Sequence, residues 1–297
     1  MGKKALILSG GSIKGAFQVG AMQAVFEQGF RPDIMLGISI GAVNSTYFVN
    51  KIGEKENIIS NLQALEDLKQ FWFDHTRNPR QIMKRRSLLR LGYDLITNNF
   101  RSLMDTSNYF AWFNNLKPEY IKRSRIKLMV GAVNLYSGEI EYFDSNNPNI
   151  VEAAKASSII PLIMPPVIIN GIPYVDGGVK DVVPLRPLVD NHEISELVII
   201  ITHPVRLSNK KFNIGNINHY ITRTKNITVN EIIQGDLDDI KDFNRRQLLI
   251  LKKPIKYKII RPQDELEFTL DKFTPDDIRY MMDLGYKTAM QAQWEKN

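Results

Sequence analysis

One stretch of the sequence places a serine where a short apolar strand gives way to a helix. Ser39 lies between Gly37 and Gly41. Apolar residues 34–36 precede it, and residues 40–49 follow it with small and apolar side chains at helical spacing. Such a sharp turn strains the serine backbone and leaves no space for side chains two positions away, a need that the glycines meet. The pattern predicts a nucleophilic Ser39 beside the free N–H groups of a helix N-terminus.

A second glycine-rich turn follows the predicted strand at 5–8 and precedes a predicted helix at 16–29. Consecutive backbone N–H groups in such a turn can bind an anion. If the first two strands pair, the turn lies beside the predicted nucleophile. The N–H groups of Gly10, Gly11 and Ser12 then form an oxyanion hole.

Two other anion-binding motifs fit this turn poorly. A P-loop needs lysine and then serine or threonine after its second glycine, but Ala16 and Phe17 follow Gly15. A dinucleotide-binding turn needs glycine where Ser12 stands and an acidic residue at the end of the second strand, whereas Asp33 precedes that strand. The P-loop is excluded, and the dinucleotide fingerprint is weak.

A predicted β-hairpin ends in a carboxylate. Residues 167–169 and 172–175 flank an Asn-Gly pair, which is a strong signal for a two-residue turn. Asp176 follows the second strand directly, and Gly177 and Gly178 after it allow another backbone to approach. A carboxylate in this position can accept a proton from a neighbouring hydroxyl.

The base for Ser39 can be supplied in two ways. In a dyad, Asp176 accepts the hydroxyl proton directly, which needs a partly desolvated site because an ordinary aspartate has a pKa of about 3.9. In a triad, His203 at the end of a predicted strand lies between them, in the chain order of α/β-hydrolases. Those enzymes usually have several strands before the serine turn, and only one precedes it here. The remaining histidines, to which we assign no role, are His75, His192 and His219.

Composition and charge limit the class of protein. The chain is 43% hydrophobic and 24% charged, enough for one large α/β core. It has no cysteine, which excludes disulfides, thiolate metal sites and a cysteine nucleophile. The first residues lack a signal-peptide pattern and no apolar run reaches membrane-spanning length, so we expect a cytoplasmic protein. The net charge of +7 favours an anionic surface, and no nucleic-acid recognition motif accompanies it.

Basic residues concentrate at 77–90, directly after an aromatic run at 71–73. The simpler interpretation is a solvated helical face, and the alternative is a segment that docks on a membrane. Residues 95–105 and 108–115 can likewise line a lipid-facing groove, although aromatic residues at helical spacing more often belong to a core.

We predict a single domain over residues 1–297, since no linker, repeat or low-complexity stretch appears. Within it, residues 50–125 are expected to form a helical cap-like insertion and residues 205–297 a C-terminal helical extension with the last strand. Further strands are predicted at 126–133, 140–143, 197–201 and 255–260. Further helices are predicted at 151–158, 217–250 and 275–294.

Three motifs in this order resemble those of the patatin-like phospholipase family. They are the glycine-rich turn at 10–15, Gly-Ile-Ser-Ile-Gly at 37–41 and Asp-Gly-Gly at 176–178. Residues 156–161 and 176–184 are similar to the connecting segments of the family, so the resemblance covers nearly the whole chain. Related acyl-carrier transacylases usually have histidine before the serine, where this chain has isoleucine.

The resemblance implies a three-layer α/β/α sandwich around a mostly parallel sheet. It implies Ser39 as nucleophile and Asp176 as base, with no metal or organic cofactor. It also implies an oxyanion hole from the amides of Gly10, Gly11 and Ser12. The motif glycines are Gly15, Gly37, Gly41, Gly177 and Gly178. This chain departs from many members of the family, which have a third glycine at the position of Ser12. The difference bears on the range of substrates that the site accepts.

The sequence therefore predicts a serine lipid acyl hydrolase of the phospholipase A or lysophospholipase type, with phospholipid, lysophospholipid or another acyl ester as substrate. We expect it to act peripherally at a membrane surface. A catalytically weak lipid-docking protein on the same fold is the alternative. The sequence contains no signal for an oligomeric state.

Overall fold

The computed structural model describes residues 2–100, 102–189, 194–208, 217–249, 253–270 and 272–295. His192 and the side chain of His219 lie outside the described residues. The strands are β1 Lys3–Leu8, β2 Ile34–Gly37, β3 Lys84–Arg85, β4 Met104–Asp105, β5 Lys127–Asn134, β6 Ile140–Asp144, β7 Val167–Ile169, β8 Ile172–Asp176, β9 Ile194–Ile200 and β10 Lys256–Ile260. The helices are α1 Gly15–Glu27, α2 Ile40–Glu54, α3 Asn61–His75, α4 Leu88–Ile96, α5 Ser107–Phe110, α6 Pro118–Arg123, α7 Ile150–Ser157, α8 Arg186–Val189, α9 Ile217–Leu249 and α10 Pro275–Gln291.

The main sheet is mixed and mostly parallel. Its strand order is β10, β9, β1, β2, β5, β8 and β7, and β6 also pairs with β5. The first five strands of this order run parallel. Strands β6 and β8 run antiparallel to β5, and β7 runs antiparallel to β8. The predicted α/β class with a mostly parallel sheet is confirmed.

Alternate residues of β1 face two different cores, as the two-residue period of a strand requires. Leu6 and Leu8 pack with side chains of α1, α2, α3, α7 and α10. Ala5 and Ile7 pack with side chains of α8 and α9 on the other face. Helices therefore cover both faces of the sheet, in the predicted three-layer arrangement.

Strand pairing brings the predicted site residues to one edge of the sheet. Leu8 pairs with Gly37, so the turn after β1 lies beside the turn after β2. Leu8 also pairs with Ile200, so β9 ends at the same edge. The antiparallel pairing of β8 places Asp176 opposite Ala132, near the end of β5. Crevices at the carboxyl ends of parallel strands are where open α/β sheets form ligand sites.

Residues 50–125 contribute partly to the core and partly to the surface. Phe71 and Trp72 of α3 are buried, and the Trp72 indole N–H donates to the buried side chain of Asn44 at 2.8 Å. The aromatic run at 71–73 therefore does not form an exposed shoulder beside the basic segment. The aromatic residues of α5 and of the turn after it also belong to the core. By contrast, α4 has no buried residue.

The proposed subdivision of the chain stays a prediction. Residues 205–297 supply α9 to one face of the sheet, β10 to its edge and α10 to the other face. Across the described ranges, no helix combines the length and the apolarity that are needed to cross a membrane.

Helices α1 and α10 meet backbone to backbone. A Cβ atom at Gly20 would lie 1.7 Å from the carbonyl oxygen of Met282, and one at Gly285 would lie 2.0 Å from that of Phe17. Gly235 within α9 offers a contrast, because nothing lies within 4 Å of its Cβ position.

We expect Gly20→Ala to lower the free energy of unfolding by about 2–4 kcal/mol, since a backbone carbonyl cannot move aside like a side chain. The control Gly235→Ala should raise it by about 0.5–1 kcal/mol, because alanine is the better helix former. Urea unfolding followed by circular dichroism measures both. Equal stability of the two variants would contradict the close packing of α1 against α10.

Candidate active site

The turn that carries Ser39 is tight, and a side chain would not fit at either of its two glycines. Ser39 has φ 56° and ψ −126°, a left-handed conformation that is costly for a residue with a side chain. A Cβ atom at Gly41 would lie 2.1 Å from the carbonyl oxygen of Leu8, and one at Gly37 would lie 2.4 Å from the carbonyl oxygen of Gly41. Neither position accepts a larger residue without moving the backbone of the turn.

The structure brings the Ser39 hydroxyl and the Asp176 carboxylate together. Ser39 Oγ donates a hydrogen bond to Asp176 Oδ2 at 2.7 Å. The other carboxylate oxygen, Asp176 Oδ1, accepts the N–H of Gly178 at 2.7 Å. The Ser39 N–H donates to Ser157 Oγ at 2.9 Å, so a side chain at the end of α7 holds the strained turn. This geometry allows direct proton transfer between the hydroxyl and the carboxylate.

Burial makes Asp176 a stronger base than an ordinary aspartate. Removal from water raises its pKa from 3.8 to about 6. Three weaker effects oppose the rise: the hydrogen bonds from Ser39 and Gly178, and the positive charge of Lys225. Near neutral pH the carboxylate is therefore ionised and has a proton affinity suited to general base catalysis.

The glycine-rich turn lies directly against Ser39. A Cβ atom at Gly10 would lie 3.1 Å from Ser39 Cβ. Gly11 has φ 152°, and a Cβ atom there would lie 1.8 Å from Thr202 Oγ1, so both its conformation and its space require glycine. Ser12 also has a positive φ, 58°. Within the described chain, no hydrogen bond engages the N–H groups of Gly10 or Gly11, which leaves them available to an anion.

Thr202 at the end of β9 fixes the shape of this turn. Its hydroxyl donates to the carbonyl oxygen of Gly10. Its N–H donates to Ser9 Oγ at 3.1 Å. Both contacts join residues far apart in the sequence, and no local motif signals them.

The remaining motif glycines permit close packing around the site. A Cβ atom at Gly15, the first residue of α1, would lie 2.4 Å from the side chain of Ile40. One at Gly177 would lie 2.5 Å from the carbonyl oxygen of Gly131 in β5. The first contact packs the start of α1 against the start of the helix that follows Ser39. The second packs the turn after Asp176 against β5.

His203 is buried behind the glycine-rich turn. Its Nδ1 lies 3.5 Å from Thr202 Oγ1. In the described part of the chain, no hydrogen bond joins its imidazole to Ser39 or Asp176. Burial, together with the positive charges of Lys14, Lys225 and Arg261, lowers its pKa to about 3. The imidazole is therefore neutral at physiological pH, and its contact is with Thr202.

Two lysines give the site a positive potential that the sequence motifs do not reveal. Burial lowers the pKa of Lys14, which lies in the glycine-rich turn, while the carboxylate of Glu265 opposes that change. The positive charge of Lys225 on α9 lowers the pKa values of Lys14, Asp176 and His203 alike.

Helix α9 also anchors the segment that follows Asp176. Asp236 Oδ2 accepts the N–H groups of Val182 at 3.3 Å and Val183 at 2.9 Å. Burial, aided by the nearby Asp181, raises the pKa of Asp236 to about 7. Among the described residues, no three histidine, aspartate or glutamate side chains come together as metal ligands.

Comparison with known proteins identifies relatives. The profile of the patatin-like phospholipase family matches residues 6–189, more than half of the chain. Triacylglycerol lipase 5 of Saccharomyces cerevisiae is 26% identical over 56% of this chain and 22% of its own length. Lysophospholipase NTE1 of Cryptococcus neoformans is 25% identical over 66% of this chain and 11% of its own length. The chain thus spans less than a quarter of either protein.

A solved structure shares the fold. VipD from Legionella pneumophila superimposes with a TM-score of 0.50 over 99% of this chain and 68% of its own, at 15% sequence identity.

The raised pKa of Asp176 predicts a stability effect. Because the folded carboxyl holds its proton to a higher pH than the unfolded one, the free energy of unfolding should fall as pH rises from about 4 to about 6. Asp176→Asn removes this penalty, so we expect it to be more stable than wild type by about 3 kcal/mol at pH 8 and by no more than about 0.5 kcal/mol at pH 4. Urea unfolding at both pH values measures the difference.

The exposed carboxylate of Asp144 supplies the matched control. Asp144→Asn should change the free energy of unfolding by less than about 0.5 kcal/mol at either pH. A gain of similar size in both variants, or none in Asp176→Asn at pH 8, would contradict the desolvation of Asp176.

Proposed function

This chain belongs to the patatin-like phospholipase family, and we propose that it hydrolyses acyl esters of lipids with Ser39 as nucleophile and Asp176 as base. The observation that carries the proposal is the 2.7 Å hydrogen bond from Ser39 Oγ to Asp176 Oδ2. A hydroxyl needs such a base to become a useful nucleophile. Family membership supports lipid esters as the substrate class.

Acylation of the serine is the first half of the proposed reaction. Asp176 accepts the hydroxyl proton while Ser39 Oγ attacks the ester carbonyl carbon. The carbonyl oxygen becomes an oxyanion, and the amides of Gly10, Gly11 and Ser12 stabilise it. When the tetrahedral intermediate collapses, the bond to the leaving alcohol breaks and Asp176 returns the proton to that alcohol. The fatty acyl group then remains on Ser39 as an ester.

Deacylation repeats the same steps with water. Asp176 takes a proton from a water molecule, whose oxygen attacks the acyl carbon. The same amides stabilise the second oxyanion, and Ser39 Oγ leaves with the proton that Asp176 returns. Free fatty acid and the original enzyme result. Loss of a single oxyanion donor typically lowers the rate by about 10²–10³, so the glycine-rich turn should matter nearly as much as the dyad.

The charges around the site favour a substrate with an anionic head group. The positive charge of Lys225 lowers the pKa of Asp176, and Lys14 and Lys225 both lower the pKa of the nearby His203. Positive potential in a cleft raises the local concentration of anions. A phospholipid or lysophospholipid meets this condition, whereas a neutral acyl ester does not.

We also propose that the protein is cytoplasmic and acts peripherally at a membrane.

The direct contact between Ser39 and Asp176 favours the dyad over a triad through His203. We expect Ser39→Ala to lower kcat for lysophospholipid hydrolysis by at least about 10⁴-fold and Asp176→Asn by about 10³–10⁴-fold. His203→Gln should retain kcat within a few-fold, since its imidazole contacts Thr202 instead. Fatty acid release measured by mass spectrometry provides the assay.

Ser195→Ala is the matched control, because it removes an exposed hydroxyl on β9 that donates, among the described residues, to the backbone carbonyl oxygens of Gly2 and Lys3. Its activity should equal that of wild type. Turnover that survives in Ser39→Ala would refute the nucleophile. Loss of activity in His203→Gln, with activity retained in Asp176→Asn, would contradict the dyad and favour an arrangement in which His203 takes part.

A further inference from the structure

Helix α4 turns its apolar face away from the protein. Leu89, Tyr93 and Ile96 follow the i, i+4, i+7 spacing of one helix face, yet Leu89 is 90% and Ile96 88% exposed. Leu88 and Leu95 flank this face and are also exposed. We call these five residues the α4 face. An amphipathic helix that only packs on its own fold turns this side inward.

The polar side of α4 holds the helix in this orientation. Asp94 forms an ion pair with Arg86, and both side chains are largely shielded from solvent. Arg86 also donates to the carbonyl oxygen of Ser102 at 2.8 Å. Strand β3 precedes α4 and strand β4 follows it, and the two strands pair with each other, which joins the two ends of the segment that contains α4. The outward direction of the α4 face is therefore fixed by specific contacts of its opposite side.

Exposed basic residues lie on α4 and on the strand that precedes it. Lys84, Arg85 and Arg90 are exposed. Among the described residues, none of their side chains forms a salt bridge. Lys84 stands opposite Asp105 in the β3–β4 pair, which leaves Arg85 and Arg90 as the cations next to α4 in the chain. Exposed apolar side chains accompanied by such cations match the interface of an anionic bilayer, where acyl chains lie beneath negatively charged head groups. A neutral protein groove or a second copy of this basic chain lacks that charge complementarity.

The segment with the α4 face is connected to the candidate active site. The N–H of Leu103 donates to the carbonyl oxygen of Leu162 at 3.0 Å, and Leu162 is itself 73% exposed. The same loop accepts a hydrogen bond from the site, because the N–H of Asp176 donates to the carbonyl oxygen of Ile159 at 3.2 Å. After β4, Tyr109 is buried, and burial raises the pKa of its hydroxyl. The segment that carries α4 is thus joined by hydrogen bonds to the loop that contacts Asp176.

We propose that the α4 face docks the protein on anionic phospholipid membranes by inserting its apolar side chains among the head groups. The purpose of this docking, delivery of the dyad to lipid esters, rests on the proposed function. The docking itself does not, because it uses no residue of the dyad.

The chain has no cysteine, so a single introduced cysteine can carry a polarity-sensitive fluorophore. In the Ser39→Ala background, the fluorescence emission of a label at Ile96→Cys should shift to the blue when the protein binds vesicles of phosphatidylcholine with phosphatidylserine. It should shift much less on phosphatidylcholine alone. Ile58→Cys is the matched control, because Ile58 is an equally exposed aliphatic residue (84%) outside the α4 face. Its label should not shift on either vesicle.

Vesicle sedimentation separates the apolar and the electrostatic contributions. Leu89→Ser with Ile96→Ser should weaken partitioning by about 10- to 100-fold, given the loss of buried methylene groups. Lys84→Gln with Arg85→Gln and Arg90→Gln should weaken it by about 10-fold or more at low salt. Ile58→Ser with Leu249→Ser removes two exposed aliphatic side chains elsewhere and should change nothing.

Equal partitioning of the Leu89/Ile96 and Ile58/Leu249 double variants would overturn the proposal, as would an absent blue shift at position 96. Concentration-dependent self-association that the Leu89/Ile96 change abolishes, without vesicle binding, would also overturn it and assign the α4 face to a second copy. Hydrolysis of a soluble short-chain ester by the double variants in a wild-type Ser39 background tests the dyad separately. The two experiments can therefore show a failure of docking with intact ester hydrolysis, or a failure of ester hydrolysis with intact docking.

Discussion

The hydrogen bond between Ser39 Oγ and Asp176 Oδ2 is the contact on which the rest of the structure converges. It joins residues 137 positions apart, at 2.7 Å. Two strand pairings set this distance, β2 with β5 and β5 with β8, while the pairing of β1 with β2 places the glycine-rich turn beside Ser39. A one-residue slip in any of them would turn the attached side chains to the other face of the sheet. The order of strands in the main sheet is therefore also the geometry of the site.

The same contact explains where the fold accepts unfavourable conformations and charges. Ser39 keeps a left-handed backbone, held by the hydrogen bond to Ser157. Asp176 is removed from water, which raises its pKa to about 6. Strain and desolvation both lower stability, and such sites occur where an enzyme needs a preorganised geometry or a tuned pKa. The tight glycine contacts around the turn keep it from relaxing into a less strained form.

The sequence predicts the sheet and the motif turns well, because strand and helix periods and turn residues are local signals. The strand predicted at 126–133 is Lys127–Asn134, and the helix predicted at 275–294 is Pro275–Gln291. Long-range contacts are invisible to such reasoning: Ser157 and Lys225 touch or influence the site from distant parts of the chain. The basic segment at 77–90 and the possible groove at 95–105 are recognisable in the sequence, but not the direction in which the apolar side of α4 points. Tertiary packing decides that, as it does for the aromatic run of α3.

Covalent labelling of the serine tests the central claim most directly, because it reports the reactivity of one hydroxyl without a lipid interface. A fluorophosphonate should label Ser39, identified by peptide mass spectrometry, with a rate that rises through a midpoint near pH 6 as the Asp176 carboxylate ionises. Asp176→Asn should label far more slowly and without that midpoint. Label on another residue, or an unchanged rate and pH dependence in Asp176→Asn, would contradict the account.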